Sequence, residues 1–208
     1  MNAWRPIILG IFMLVQFRVG LPEKSRVEIS CGQTITENTI LGADLACPPG
    51  TEYAIVIGAS NINLDLGGHT ISGNTPGIGV IAIGQEGVSI RNGSIEGFDH
   101  GVFIIDSSWV TMENLTVRNL DISDPNQFIF GIAVLGSQNV VVRDSVFEFL
   151  TVAHKEAVEV YDSFVDVSNI EVHGGGAGVS FSFAGKSCDP VNSQVTVRSS
   201  IASSPTFT

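Results

Sequence analysis

Basic side chains are scarce in this sequence. Its 208 residues include only 10 lysines and arginines against 21 aspartates and glutamates, which gives a formal net charge of -11. A chain with this balance repels phosphate backbones, so the composition argues against nucleic-acid binding. The same repulsion argues against tight binding of a polyanionic glycan unless a cation bridges the two negative charges.

The apolar run near the N-terminus is shorter than the roughly 20 residues that a membrane span needs. It reads PIILGIFMLVQF and follows Arg5. A positive flank before a short apolar run is typical of a secretory signal peptide, so we expect residues 1–20 to be one. The mature protein is then extracellular or on the cell surface, with no membrane span left. An uncleaved anchor or a buried strand is the alternative, and the segment FRVGLPEKS leaves the cleavage position open.

Helical periodicity is absent as well, since no long segment after residue 25 repeats its apolar residues every 3.6 positions. The sequence instead has 23 glycines and is rich in Val, Ile, Ser, Thr and Asn. This composition predicts an all-β protein with many tight turns. The length suits one sizeable core, so we expect one domain.

Repeated units organise the chain, and they read NINLDLGGHTI, GVSIRNGSI, WVTMENLTV, NVVVRDSVF, FVDVSNIEV and QVTVRSSIA. Their first inward apolar residues lie 26, 22, 30, 25 and 30 residues apart, and these anchors are Ile62, Val88, Val110, Val140, Val165 and Val195. A period in the twenties with variable insertions is typical of a solenoid. Each unit holds two strands around a turn and follows a third strand, such as GVFII or GIAVL. We therefore predict a single-stranded parallel β-helix with about six coils of three short strands each.

The predicted inward positions form stacked columns. One column is Leu64, Ile90, Met112, Val142, Val167 and Val197, and the other, after the turn, is Ile71, Ile95, Val117, Phe147 and Val172. The turn between them carries Asn92, Asn114, Asp144 and Asn169, which are residue types that tolerate a left-handed backbone. We expect this turn column to face inward, so the two sequons at Asn92 and Asn114 are interpreted as structural. His69, beside Asp65 in the equivalent segment, is interpreted as a turn residue and not as part of a catalytic pair.

Only three cysteines are present. Cys31 and Cys47 flank the first β-like segment, and we expect them to form a disulfide in an exported protein, with Cys188 left over. Residues 21–50 are then an N-terminal cap and residues 51–208 the β-helix. The sequence ends after a strand-like segment without a polar cap, as expected of a solenoid truncated at its C-terminus.

The region from about Cys31 to the C-terminus resembles the right-handed parallel β-helix repeats of the pectin-lyase-like superfamily. The resemblance is carried by CGQTITENTILGADLAC, INLDLGGHTISG and GVSIRNGSIEGF, which are similar to the N-terminal coils of secreted bacterial β-helix repeat proteins. It implies a right-handed β-helix but no single activity, because that superfamily includes lyases, hydrolases, epimerases, adhesins and copper-maturation proteins. The catalytic motifs of its polygalacturonase-like and alginate epimerase-like branches are absent from this sequence.

Two further patterns concern the outward side chains. Charges alternate in sign along Asp65, Arg91, Glu113 and Arg143, and again along Glu96, Arg118, Glu148 and His173, which predicts structural ion-pair ladders. The strands before the repeated units alternate inward valines and isoleucines with outward Ile81, Ile83, Phe103, Ile105, Leu135 and Tyr161. An apolar outer face of this kind indicates either an interface or a surface covered by another segment.

Insertions in a solenoid gather on one edge and commonly form its binding site. The two longest insertions, 121–127 and 151–156, lie on neighbouring coils. We predict a site on this loop rim, with Asp121, Asp124 and His154 as candidate catalytic groups, and Asp99, His100, Asn126, Lys155 and Glu156 as candidate binding groups. Solvated loop residues are the alternative. Two functions stay open: a β-helix that binds a polysaccharide, a cell-surface glycan or another surface partner, and a lyase, hydrolase or epimerase that acts on polysaccharides, with Ca²⁺ supplying the missing positive charge.

Overall fold

The computed structural model describes residues 26–74, 76–118, 120, 129–149, 155–174, 177–181, 194–198 and 201–203. This part of the chain contains strands and turns but no helix. The strands are β1 (Arg26–Val27), β2 (Gln33–Ile35), β3 (Thr39–Leu41), β4 (Leu45–Ala46), β5 (Tyr53–Ile57), β6 (Asn63–Asp65), β7 (Thr70–Ser72), β8 (Ile78–Ile83), β9 (Ser89–Glu96), β10 (His100–Ile105), β11 (Thr111–Arg118), β12 (Ile129–Leu135), β13 (Val140–Glu148), β14 (Lys155–Tyr161), β15 (Phe164–His173), β16 (Ala177–Phe181), β17 (Gln194–Arg198) and β18 (Ile201–Ser203).

The strands form two long sheets in which every pairing is parallel. The seven-stranded sheet runs β2-β5-β8-β10-β12-β14-β16. The eleven-stranded sheet runs β1-β3-β6-β9-β11-β13-β15-β17, with β4 and β7 joined beside β9 and with β18 beside β15. Consecutive strands in each sheet come from consecutive coils. The predicted solenoid is therefore confirmed, with about five turns where about six coils were expected.

The core consists of the predicted inward columns. Leu64, Ile90, Met112, Val142 and Val167 are fully buried, and strand pairing places them side by side. The column after the turn is equally buried, and it contains Ile71, Ile95, Val117, Phe147 and Val172. Stacking works because parallel pairing in register puts equivalent residues of successive coils about 4.8 Å apart.

The turn column corrects one prediction. Asn92, Asn114, Asp144 and Asn169 have φ angles of 61°, 53°, 51° and 48°, as expected of a left-handed corner. However, Asn114 is exposed and does not face inward. A left-handed residue interrupts the strand alternation, so Glu113 and Asn114 both point outward and Leu115 is the next inward residue, at 1% exposure.

A column of small residues lies where the two sheets approach each other, and the sequence patterns did not reveal it. Strand register aligns Ala54, Gly79, Gly101, Gly131 and Ala157. A Cβ on Gly101 would lie 2.4 Å from the Gly131 carbonyl oxygen and 2.7 Å from Val117 Cγ1. These positions therefore carry glycine or alanine, because the facing core column leaves no space for a larger side chain.

Buried serines form a ladder at the corner where the chain passes from the seven-stranded sheet to the eleven-stranded sheet, as between β10 and β11. The Ser107 amide donates to Ser137 Oγ at 3.0 Å, and the Ser137 amide donates to Ser163 Oγ at 2.8 Å. Each hydroxyl donates in turn to a carbonyl two residues earlier in its own chain segment. The corner is thus held by hydrogen bonds that satisfy its buried amides.

The expected disulfide is present between Cys31 and Cys47, with a Cα–Cα distance of 5.6 Å. It links the turn before β2 to the residue after β4. Strand β2 pairs with β5 and strand β4 pairs with β7 of the next coil. The bond therefore joins the two sheets at the first described coil.

Candidate binding site

Four of the eight residues predicted for the loop-rim site, namely Asp121, Asp124, Asn126 and His154, lie outside the described residues, so their roles stay predictions. Lys155 is the first residue of β14. The three remaining members, Asp99, His100 and Glu156, are described.

The structure corrects the loop assignment of His100, Lys155 and Glu156, because these residues begin strands. His100 starts β10, and Lys155 and Glu156 start β14. Strand pairing places His100 opposite Phe130, and Phe130 opposite Glu156. The physical reason is that sheet pairing continues to the first residue after each insertion. Two of the predicted residues therefore share one column, with a phenylalanine between them.

His100 is held in place by aromatic and hydrogen-bonding contacts. Its ring stacks on Phe130 with centroids 5.3 Å apart and meets the edge of Phe103 at 4.8 Å. The Phe130 amide donates to His100 Nδ1 at 3.2 Å. Burial lowers the pKa of the imidazole from 6.5 to about 4. Nδ1 of this ring is thus occupied as an acceptor, and Asp99 beside it is buried at 3% exposure. The binding roles of both residues stay predictions.

His69 and Asp65 each have partners that suit a turn. His69 Nδ1 lies 3.2 Å from Asp44 Oδ1, and the Thr70 amide donates to the same oxygen. The hydrogen bond from Thr70, followed by the one from His69, lowers the pKa of the Asp44 carboxyl. Asp65 instead accepts from the Gly67 amide and from Asn92 Nδ2. The turn interpretation of His69 is supported by these contacts.

The predicted charge ladders are present as ion pairs between neighbouring coils. Arg91 Nε lies 3.3 Å from Asp65 Oδ2, Arg118 Nε lies 2.8 Å from Glu96 Oε2, and Arg143 pairs with Glu113. His173 contacts Glu171 of its own strand at 2.8 Å. Since each of these arginines has a carboxylate partner in a neighbouring coil, we interpret their main role as structural and not as ligand binding.

The outer face of the seven-stranded sheet is apolar, as the alternation predicts. Ile83 is 54% exposed, and Phe103, Ile105, Leu135 and Tyr161 are half-buried. The column that contains Ile81 departs from this pattern, because Ile81, Ala133 and the charged Glu159 are buried at 5%, 0% and 4% exposure although they face outward.

A cleft lies on the eleven-stranded sheet, between Trp109 and Phe164. Its volume is about 360 Å³, within the range of small-molecule sites. Trp109 is 61% exposed and Phe164 is 36% exposed. The floor and walls also include Thr111, Asn139, Val141 and Asp166. We call this feature the Trp109–Phe164 cleft.

The corner before β11 positions Trp109. In the register of the coils, Trp109 is equivalent to Asn61, Gly87 and Asn139, and all four have a left-handed backbone with φ between 55° and 69°. Asn and Gly adopt this conformation readily, whereas a bulky aromatic residue does so at a cost of order 1 kcal/mol or more. The fold thus holds a tryptophan in an unfavourable conformation that points its ring away from the core.

Register explains the shape of the cleft. Val110 pairs with Val140 and Val140 with Val165, so Trp109, Asn139 and Phe164 occupy equivalent positions in three successive coils. The smaller Asn139 lies between the two aromatic residues and leaves the gap. Asp166 is the one charged side chain lining this cleft among the described residues. The arrangement offers two apolar ring surfaces and several hydrogen-bonding groups to a ligand.

The prediction from sequence missed this cleft, although a signal was available. The residue before each anchor reads Asn61, Gly87, Trp109, Asn139, Phe164 and Gln194. Two aromatic residues among polar or small ones at an outward corner are the exception that marks the site.

Fold and cleft together define a parallel β-solenoid with an exposed aromatic cleft. Residues 27–196 match the family model described as the right handed beta helix region. The chain therefore belongs to this right-handed β-helix family. Comparison with curated proteins finds no match. Among solved structures, the chain is similar to a protein from Parabacteroides merdae ATCC 43184 described as a candidate glycosyl hydrolase, with 11% identity, 81% of each chain covered and a TM-score of 0.48. A similarity this low carries no conclusion about activity.

Two further findings concern metals and membranes. The described residues contain no group of three or more His, Cys, Asp or Glu side chains arranged to hold a metal ion. Within the same residues, no helix has the length and apolar character needed to cross a bilayer. The predicted Ca²⁺ involvement concerned the loop rim, most of which lies outside the described chain, and it stays a prediction.

Proposed function

We propose that this protein is an exported β-helix that binds a glycan without modifying it, and that the Trp109–Phe164 cleft is the binding site. The observation that carries the proposal is the pair of exposed aromatic side chains facing one cleft. Sugar rings present flat C–H faces that stack on aromatic rings, while their hydroxyls need hydrogen-bonding partners close by. The cleft supplies both, through the rings of Trp109 and Phe164 and the polar side chains of Thr111, Asn139 and Asp166.

The strained backbone of Trp109 supports a binding role over a packing role. A residue in a costly conformation persists where the surrounding structure or function requires it. Packing does not account for this conformation, since the residue is 61% exposed. Export is supported by the disulfide between Cys31 and Cys47, because such bonds persist mainly outside the reducing cytosol.

Affinity electrophoresis in gels containing single soluble polysaccharides tests the binding proposal. We expect retardation in at least one neutral polysaccharide gel and its loss in Trp109→Ala. Tyr161→Ala is the matched control, because it removes an outward aromatic side chain from the other sheet. Normal mobility of the native protein in every gel would refute glycan binding.

The enzymatic alternative is tested on the same polysaccharides. We expect no increase in reducing ends or unsaturated products, with or without added calcium. Turnover that disappears in the double variant Asp121→Asn, His154→Ala but persists in Trp109→Ala would replace our proposal with catalysis at the loop rim.

A further inference from the structure

We infer that the ligand of the Trp109–Phe164 cleft is a neutral, extended glycan chain that lies along the solenoid axis. This inference rests on the proposed function and adds the class and orientation of the ligand. It follows from the spacing of the two aromatic rings, the direction of the polar groups beside them and the charge of the protein.

The spacing comes from strand register. Trp109 and Phe164 occupy equivalent corners two coils apart, so their attachment points are separated by about 10 Å along the axis, twice the distance between paired strands. In an extended β-(1→4)-linked chain, each sugar advances by about one such strand spacing. Sugars one and three of a bound segment would therefore reach the two rings, and the sugar between them would lie over Asn139.

The polar groups run in the same direction. Thr111, Val141 and Asp166 are paired in register on the outer face of β11, β13 and β15. Two residues further along the first two strands, on the same face, lie the ion-paired Glu113 and Arg143. The coils of the two aromatic residues thus each add a hydrogen-bonding side chain beside the aromatic column, Thr111 and Asp166, with the apolar Val141 between them. A chain lying across the strands, parallel to the axis, would meet both aromatic rings and both of these polar groups.

The charge of the protein selects a neutral ligand. Asp166 lines the cleft, and the whole chain carries a formal net charge of -11. A polyuronate would bring carboxylates next to Asp166 and would be repelled at long range. Hydroxyls of a neutral sugar would instead donate hydrogen bonds to the carboxylate, which are stronger than bonds between neutral groups.

Calorimetric titration with β-(1→4)-linked gluco-, xylo- and manno-oligosaccharides of two to six residues tests the inference. We expect affinity for at least one series to rise by about tenfold or more between two and three residues, where the second aromatic ring is first reached, and little beyond four. Trp109→Ala and Phe164→Ala should each abolish this step, and Tyr161→Ala should keep it. Equal melting temperatures of the variants would show that folding is not the cause.

The outcomes separate the inference from the proposed function. Binding whose affinity does not change with length, or that prefers polygalacturonate or a coiled β-(1→3)-glucan, would overturn the extended neutral ligand and leave glycan binding standing. A length step that Phe164→Ala leaves intact would also overturn the inference. Absence of binding to every polysaccharide and oligosaccharide would overturn both.

Discussion

Asn114 Nδ2 donates a hydrogen bond to Asn92 Oδ1 of the preceding coil at 2.9 Å, although the Asn114 side chain is exposed. Asn92 donates in turn to Asp65 at 3.1 Å, and Asn169 donates to Asp144 at 2.7 Å in the later coils. The turn corner is therefore stabilised by an outward ladder of amides and carboxylates, and not by a buried one.

This ladder predicts the effect of Asn114→Leu. Leucine would lose the hydrogen bond and would have to adopt a φ of 53° with a branched, bulky side chain. We expect the free energy of unfolding to fall by about 1 to 2 kcal/mol. Asn114→Gly separates the two causes, because glycine accepts the backbone but not the ladder. Urea denaturation curves of both variants that coincide with the native curve would contradict the prediction.

The small-residue column predicts that Gly101→Ala is destabilising. The added Cβ would lie 2.4 Å from the Gly131 carbonyl oxygen, a distance that forces the backbone of two coils apart. We expect a loss of about 1 to 3 kcal/mol, as measured by chemical denaturation. Gly42→Ala is the control, since its Cβ would meet neighbours only at 3.4 Å and its φ is not positive. An equal effect of the two changes would show that close approach at Gly101 does not matter.

The buried His100 predicts a stability that depends on pH. Its folded pKa of about 4 lies below the ordinary value of 6.5, so the unfolded state binds the proton more readily between these values. Stability contributed by the neutral ring is complete above pH 6.5 and is lost as the pH falls toward 4, by at most about 3 kcal/mol.

His100→Asn tests this titration, because asparagine offers an acceptor to the Phe130 amide but does not titrate. We expect the difference in unfolding free energy between native protein and variant to shrink or reverse as the pH falls from 7 to 4. A difference that stays constant over this range would show that His100 is not protonated on unfolding. Carboxylates such as Asp44 affect both proteins alike and cancel in the comparison.

The disulfide predicts a free-thiol count. Unfolding the protein without reductant should expose one reactive thiol, that of Cys188, and reduction should raise the count to three. The double change Cys31→Ser, Cys47→Ser should lower the unfolding free energy by about 3 kcal/mol, the value for a loop of this length. Three thiols before reduction would show that the bond does not form.

Repetition in the sequence determined the fold and much of its core. Apolar residues recur with period two inside units of similar length, and only parallel stacking of the coils buries all of them together, so Leu64, Ile90 and Met112 could be aligned without coordinates. The charge pairs of Arg91 and Arg118 followed from the same alignment, because equivalent outward positions in neighbouring coils must be adjacent.

Tertiary structure alone decided in which direction the side chains at the corners point and where a cleft forms on the surface. A single left-handed residue breaks the alternation, so no period-two pattern could show that Asn114 points outward or that Trp109 projects over a cleft. The gap between Trp109 and Phe164 exists because the intervening coil carries the smaller Asn139 at that corner. Local pattern specifies which residues can be buried, whereas the backbone path through each corner specifies what the exposed ones face.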